Sequence, residues 1–333
     1  MSSTLPTELQ QAAERYLTSE FVTIDAYGRP IVWPVTPYFR AGEGCIDVTT
    51  GVGYPKKADD AARNPHVALL FSDPTGSGMA GAPMVLVQGT ARVDETDLDA
   101  NRERYEREMA DKLPALHALA PTGALKRFFS WYYDRIYLHV RPERVYVWAG
   151  AALDAEPTLY DAHVEEVRSG HNEEPEEGHV PPEGGLDVWD TRLDRLGRED
   201  ATAVLAIVGP DGFPFAVRVP VRADAGACVV HVEADPVGAP IDPGPACLCA
   251  HAHAEDLTWQ HSYQVRGDLI EQDGRLVLHP HRVVAGLQLP SSAFERYRVN
   301  VRKILRFRRT AREREQARAS ASAGAGAGAG AAT

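Results

Sequence analysis

VTTGVGYPKKADDAARNPHVALLF, residues 48–71, is the stretch from which the rest of this chain can be read. A β-branched run ends in two hydroxyl residues, Thr49 and Thr50, and has the character of a strand end. GVGYP (51–55) follows as a glycine-containing loop. Lys56 and Lys57 then open a short helix, KKADDAARN, which stops at Asn64-Pro65, because the residue before a proline is pushed out of the helical region. VALLF (67–71) is the next strand. A helix N-terminus offers unpaired N–H groups and the positive end of a dipole. Glycines admit close backbone approach, and hydroxyl and ammonium groups complete a phosphate cradle. Two lysines at a helix start oppose the dipole, so a nearby anion would offset their cost. The spacing fits a phosphate-anchoring loop, and it also fits a surface loop with two solvated lysines.

Outward from this segment the chain consists of short strands. LPTELQQAAERYL (5–17) carries Leu5, Leu9, Ala12, Ala13 and Tyr16 at helical spacing. FVTID (21–25), IVWPVTPYF (31–39) and CIDVTT (45–50), separated by the turns AYGRP and AGEG, predict a tight antiparallel meander. MVLVQGTARV (84–93) adds a strand and DETDLDANRERYEREM (94–109) a charged helix. RIYLHV (135–140) and RVYVWA (144–149) follow as two strands around the turn RPE. Many short strands with few helices fit a small closed barrel better than an open parallel sheet.

The same order then restarts. ATAVLAIV (201–208), FAVRVPV (215–221), CVVHVEA (228–234), ACLCAHAH (246–253) and HSYQVRGDLIE (261–271) repeat the strand sequence. TIDAYGRPIVWPV aligns with AIVGPDGFPFAVRVPV through Gly28/Gly212 and Pro30/Pro214, and VLVQGTARV with YQVRGDLIE through Gly89/Gly267. This is a tandem duplication of a whole unit, not a short solenoid period. The expected organisation is a first barrel over 1–153, an acidic linker over 154–185, a second barrel over 186–307 opening with an amphipathic helix at LDVWDTRLDRLG (186–197), and a disordered tail over 308–333.

Composition narrows the function class. At 44% hydrophobic and 25% charged residues the balance is that of a globular chain, and no apolar run reaches the ~20 residues that span a bilayer. The N-terminus has no basic-then-apolar leader, and four cysteines are too few for a disulfide framework; both point to the cytoplasm. The net charge of −12 is segregated: the 154–190 segment holds twelve acidic residues against Arg168 alone, while the Arg-rich stretch Arg302 to Arg314 is basic and is expected to be a solvated helix. An acidic body with one short basic tail argues against nucleic acid or membrane as the main partner.

The strand–turn–strand, the Thr-ended strand, the Lys-Lys helix closing on Asn-Pro-x-Val-x-Leu-x-Phe, the Gly-x-Ala-x-Val strand and the closing RPERVYVW resemble the pyridoxamine 5'-phosphate oxidase-like, flavin-binding split-barrel superfamily. The resemblance covers residues 10–150 well and 186–290 weakly. It implies a mainly β fold with flanking helices: two tandem split β-barrels of the flavin-binding type. It implies Val32, Trp33, Pro34 and Val35 along an isoalloxazine edge, Thr49 and Thr50 at the phosphate or ribityl chain, Lys56 and Lys57 on the phosphate, and Gln88, with Met84, on a strand that contacts the ring. The implied cofactor is FMN, with deazaflavin or haem as alternatives. The implied activity is hydride transfer to or from a small organic substrate, with a non-catalytic flavin or haem carrier of the same fold as the alternative. Trp33-Pro34 stand where the B6 oxidases proper carry an arginine, which argues against that particular reaction. The second unit reads EADPVGAPI (233–241) in place of TTGVGYPKK, with acids for hydroxyls and no lysine. It is therefore expected to serve as a built-in partner, one cofactor per chain, in a form compatible with a homodimer.

Cys247, Cys249, His251 and His253 alternate along one predicted strand and share a face. They span too much of a strand to hold one ion together, and inward cysteines with barrel-end histidines are expected instead of a metal site. His163, His171 and His179 lie among the linker acids and are expected to be solvated. Trp131, Tyr132 and Tyr133 can wall a ring or fill a core. Ser130 and Asp134 have no histidine placed with them, so no catalytic triad is read.

Overall fold

A computed structural model of the chain describes residues 5–161, 186, 189–286 and 303–320. The first unit contains α1 (Thr7–Arg15), β1 (Ser19–Ile24), β2 (Pro30–Val35), β3 (Tyr38–Arg40), β4 (Cys45–Gly51), α2 (Lys56–Arg63), β5 (His66–Phe71) and β6 (Met84–Asp94). It continues through α3 (Leu98–Lys112), the short helices α4 (Pro114–Ala118), α5 (Gly123–Phe128) and α6 (Ser130–Tyr133), and the strands β7 (Arg135–Trp148) and β8 (Thr158–Asp161). The second unit contains β9 (Thr202–Val208), β10 (Pro214–Asp224), β11 (Val229–Val232), β12 (Gly244–His253), β13 (Gln260–Gln272) and β14 (Arg275–Ala285). A last helix, α7, covers residues 303–320.

The first sheet runs β2-β1-β5-β6-β7-β4-β3, and the second is a closed barrel, β10-β11-β14-β13-β12-β9. The two orders are the same circuit. In the second unit one long strand, β10, pairs with β9 on one side and β11 on the other. In the first unit that strand is broken between Val35 and Tyr38 into β2, which pairs with β1, and β3, which pairs with β4. Proline accounts for the break: Pro37 has no N–H to give the ladder, and Lys112 Nζ takes its carbonyl at 2.6 Å. At the matching place Val221 donates its N–H to Ala201 O and pairs with Val232, so the strand continues. The fold is therefore mainly β, two tandem barrel units with flanking helices, the first one split.

Both units carry the same bulge. The register shifts between Gln88 and Gly89 and again between Arg266 and Gly267. A Cβ on Gly89 would lie 2.0 Å from Arg141 O, and one on Gly267 2.1 Å from His279 O. Only glycine lets the strands cross this closely.

Several sequence expectations are corrected. The middle strand of the expected meander, 31–39, is divided: β2 pairs with β1 and β3 with β4, while the other edge of β4 pairs with β7 across the barrel. RPE (141–143) is not a turn: β7 runs unbroken through it, the bulge absorbing the irregularity. Residues 158–161 of the expected linker form β8 on β7, while 162–185, with His163, His171 and His179, lie outside the described residues. The helix expected over 186–197 is only a 3-10 turn at Thr191–Arg195, capped by Asp190. The tail expected to be disordered from 308 is helical to 320.

Side-chain parity sorts the cores. One set of first-barrel residues, including Phe21, Ile46, Val48, Leu69, Val87 and Leu138, fills that barrel. The alternate set, Val22, Val32, Ala68, Leu70, Leu86 and Trp148, is continuous with the second unit's apolar residues, among them Ala206, Ala216, Cys247 and Cys249. The units thus share one buried seam, and β2, the strand at the split, packs on β9, β12 and β13.

Candidate functional site

The loop after β4 follows the sequence expectation in outline. Thr50 is fully buried and its Oγ1 donates to Tyr54 O at 2.9 Å, closing the turn. Gly51, Gly53 and Tyr54 carry the backbone round to Pro55, which precedes α2 without any side-chain cap. The two lysines then separate. Lys56 is half-exposed, and its Nζ bonds both oxygens of Asp60 at 2.9 and 3.0 Å. Asp60 also takes Arg63, so this is a closed surface ion pair one helical turn long. Lys57 instead points inward. It is 8% exposed, its Nζ donates to Thr50 Oγ1 at 3.3 Å, and it lies over the rings of Trp33 at 5.1 Å and Tyr54 at 5.3 Å.

A second cation stands beside it. Arg135 opens β7 directly opposite Gly51 and is 4% exposed. Its guanidinium lies between the rings of Tyr105 (3.9 Å) and Tyr132 (4.1 Å), and Nη1 donates to Tyr54 OH at 2.7 Å. Arg135 Nε, Trp33 Nε1 and Trp131 Nε1 are buried donors with no partner. Among the described residues no carboxylate forms an ion pair with Lys57 or Arg135. Burial, with the Arg135 charge adding to it, pushes the Lys57 ammonium down to about 7. Two buried cations without a counter-charge are costly. Aromatic faces recover part of that cost, and an anion held between them would remove the rest.

The glycines have a different task from the one their spacing suggests. A Cβ on Gly51 would lie 2.7 Å from Trp131 O, and one on Gly53 2.8 Å from Phe307 O. Gly53 also donates its N–H to Trp131 O at 3.1 Å. The close approach is therefore to the protein's own cover. Trp131 and Phe307 have ring centroids 5.2 Å apart, and Phe307 stands 5.3 Å from Tyr54. Phe307 belongs to α7, which is held over the loop by Arg314 to Asp59 of α2 and to Glu95, and by Arg318 to the Glu95 carbonyl.

The remaining sequence-assigned residues fall on different faces. Trp33 and Val35 pack with the first barrel's core, on the Lys57 side, while Val32 faces the seam and its carbonyl accepts Gln264 Nε2 at 2.5 Å. Pro34 is half-buried opposite Glu20. Thr49 alternates with Thr50 along β4 and is half-buried. Gln88 and Met84 also lie at the seam: Gln88 Nε2 donates to Pro214 O at 2.9 Å, and its Oε1 is buried without a partner. Lys57, Thr50 and Trp33 therefore gather at one site, and Val32 and Gln88 belong to the inter-barrel surface. Arg135 and Tyr54 were not singled out from the sequence. Tyr54 lies in the quoted loop, but Arg135 is eighty-four positions from Gly51 and is identified only by the β4–β7 pairing.

Among its described residues the second unit has no such pair of buried cations. Glu233, at Thr49's place, pairs with Arg222 at 2.8 Å, and Pro240 and Ile241 stand where the lysines would, Ile241 packing on apolar neighbours. Val237 N–H donates to Leu153 O, closing that loop on the end of the first unit. The row Cys247, Cys249, His251 and His253 is not inward in its barrel, as expected, but faces the seam. Burial raises the Cys247 thiol to about 11.

No family model matches the chain, and no curated protein matches it. Among solved structures it is similar to a Clostridium acetobutylicum protein related to general stress protein 26 (pyridoxinephosphate oxidase family), at 12% identity and TM-score 0.33, over 46% of this chain and 92% of that one. It is similar to an F420 reductase at 20% identity and TM-score 0.31, over 42% and 98%. A FAD-binding protein of Mesorhizobium loti aligns at 16% identity and TM-score 0.30, over 42% and 92%. These scores carry no argument about the site. What identifies the chain as a tandem of split-barrel type is its own strand order, its Pro37 break and its paired glycine bulges.

Proposed function

We propose that the chain is a flavin- or deazaflavin-dependent oxidoreductase whose first unit anchors the cofactor's phosphate between Lys57 and Arg135, one cofactor per chain. The observation that carries this reading is the pair of buried cations with no carboxylate partner among the described residues, at the loop where the sequence resemblance expects a phosphate. Trp33, Trp131 and Tyr54 supply unpaired donors and ring faces around them. The residues therefore fit an anionic aromatic ligand, and FMN is the first choice. When bound, such a group supplies hydride transfer to or from a small organic substrate. The chain's own part is to hold the phosphate, orient the ring along β2 and exclude water through Trp131 and α7.

Mass and absorption spectrometry of the small molecule retained by purified protein test this reading. A flavin or deazaflavin at one per chain is expected. Protein that is colourless and takes up neither FMN nor deazaflavin overturns it. Loss of a charge-assisted hydrogen bond predicts that Lys57→Met or Arg135→Met weakens FMN binding by about 10- to 100-fold, while Lys56→Met changes it little. Reduction of the bound group by a nicotinamide or a candidate substrate separates an enzyme from a carrier.

A further inference from the structure

The seam between the units is built on a pseudo-two-fold. β2 packs on β9, β12 and β13, and its counterpart β10 packs on β1, β5 and β6, the counterparts of those strands. Matching registers fix the equivalences. Glu20 pairs with Pro34 and Leu70 in the first unit, and Val204 pairs with Arg218 and Cys249 in the second. Glu20 therefore corresponds to Val204, Pro34 to Arg218 and Leu70 to Cys249. Two residues further along, Ser72 corresponds to His251.

The charges at these positions are complementary, not repeated. Glu20 is fully buried. Its Oε1 meets Arg218 Nη2 at 3.0 Å and His251 Nε2 at 2.5 Å, and its Oε2 accepts Ser72 Oγ at 2.8 Å. Arg218 Nε donates back to Ser72 Oγ at 2.8 Å. Next to this group, His253 Nε2 meets Thr18 Oγ1 at 3.0 Å and Asp73 at 3.5 Å. The acids come from the first unit and the cations from the second. Burial acts to raise the Glu20 carboxyl, yet the His251 and Ser72 hydrogen bonds and the Arg218 charge hold it below its ordinary value.

Consider the pairings that this duplicated surface must reject. If a first unit met the first unit of another copy, Glu20 would face Pro34 and Ser72, two carboxylates buried without a cation. If a second unit met a second unit, Arg218 and His251 would face Val204, with no carboxylate in reach. Only the mixed pair neutralises both sides, and breaking a buried pair by removing one partner is strongly unfavourable. We propose that the Glu20–Arg218–His251–Ser72 group is a pairing code: it makes the second unit of this chain the specific partner of the first and excludes like-with-like pairing between copies of the chain.

The test starts from the full chain with a protease site placed between residues 162 and 185. The chain is cleaved, unfolded in denaturant, refolded, and its complexes are weighed by native mass spectrometry. Complexes of one N-terminal and one C-terminal piece are expected, with like pairs disfavoured by about a hundredfold or more. Like pairs in near-random proportion overturn the proposal. If the pieces do not refold, the intact chain answers through Glu20→Gln, Arg218→Met and the double variant. The code predicts that the double melts closer to the original chain than Arg218→Met does, because that single change leaves the carboxylate buried with fewer partners. Additive losses overturn it. Neither variant touches Lys57 or Arg135, so failure here is distinct from failure of the phosphate reading.

Discussion

At the scale of single residues, Lys57 and Lys56 show what adjacency in sequence conceals. One is a surface cation neutralised by Asp60, and the other is buried between aromatic rings. Lys57 titrates near 7 in the folded chain against an ordinary 10.5. For a lysine with a lowered folded value, the unfolded chain holds more protons between those two limits. Stability of the ligand-free protein should therefore rise with pH from about 7 toward 10. Anion affinity should fall over the same range, as the ammonium is lost. Thermal melts and phosphate titrations across that window check both signs. Lys57→Met should reduce this pH dependence, leaving the part contributed by Lys112, whose ammonium burial also pushes down to about 7, and should raise the ligand-free melting temperature, by ~2–4 °C for each kcal/mol of desolvation relieved. Thr50 and Lys57 could be grouped from the sequence because both sit inside one local motif, and the structure brings them within 3.3 Å. The sequence could not place Arg135, whose role depends on a strand pairing across the barrel, nor divide Val32 from Trp33, because only the seam distinguishes the two faces of β2.

At the scale of elements, the glycine bulges and α7 make opposite demands on prediction. Gly89 and Gly267 were visible as an internal repeat, and the structure supplies the cause in the carbonyls of Arg141 and His279. Gly89→Ala and Gly267→Ala should each cost ~1–3 kcal/mol, measured by denaturant unfolding. α7 was legible as a helix over Arg302 to Arg314 but not as a packed one, since its Arg-Glu composition is that of a solvated segment. What orders it is tertiary: Arg314 on Asp59 and Glu95, and Phe307 on Trp131. Removing residues 303–333 should leave both barrels folded but speed release of an anion from the loop, read by stopped-flow with FMN. Unchanged release rates would show that α7 does not cover the route. RPE read as a turn because proline is a local breaker, while a bulge within a long strand tolerates it.

At the scale of the molecule, duplication was legible from paired motifs, and the loss of both lysines from the second unit from the contrast of TTGVGYPKK with EADPVGAPI. The shared seam was not, because residues that face another barrel have the same alternation as residues that face a core. Equilibrium dialysis should find one anion site per chain, and Lys57→Met should weaken it by about 10- to 100-fold. A second site that survives would place another anchor in the C-terminal unit. Among the described residues no helix is long and apolar enough to cross a membrane.

The position of Phe307 also sets a schedule. The loop it covers, at residues 51–55, is synthesised about 250 residues before its cover. Domains fold as they emerge, N-terminal first. The first barrel's loop therefore stays uncovered while the second unit is synthesised, and it is covered only once Phe307 docks on Trp131. On the proposed reading, a phosphate-bearing ligand has open access to the loop throughout that interval.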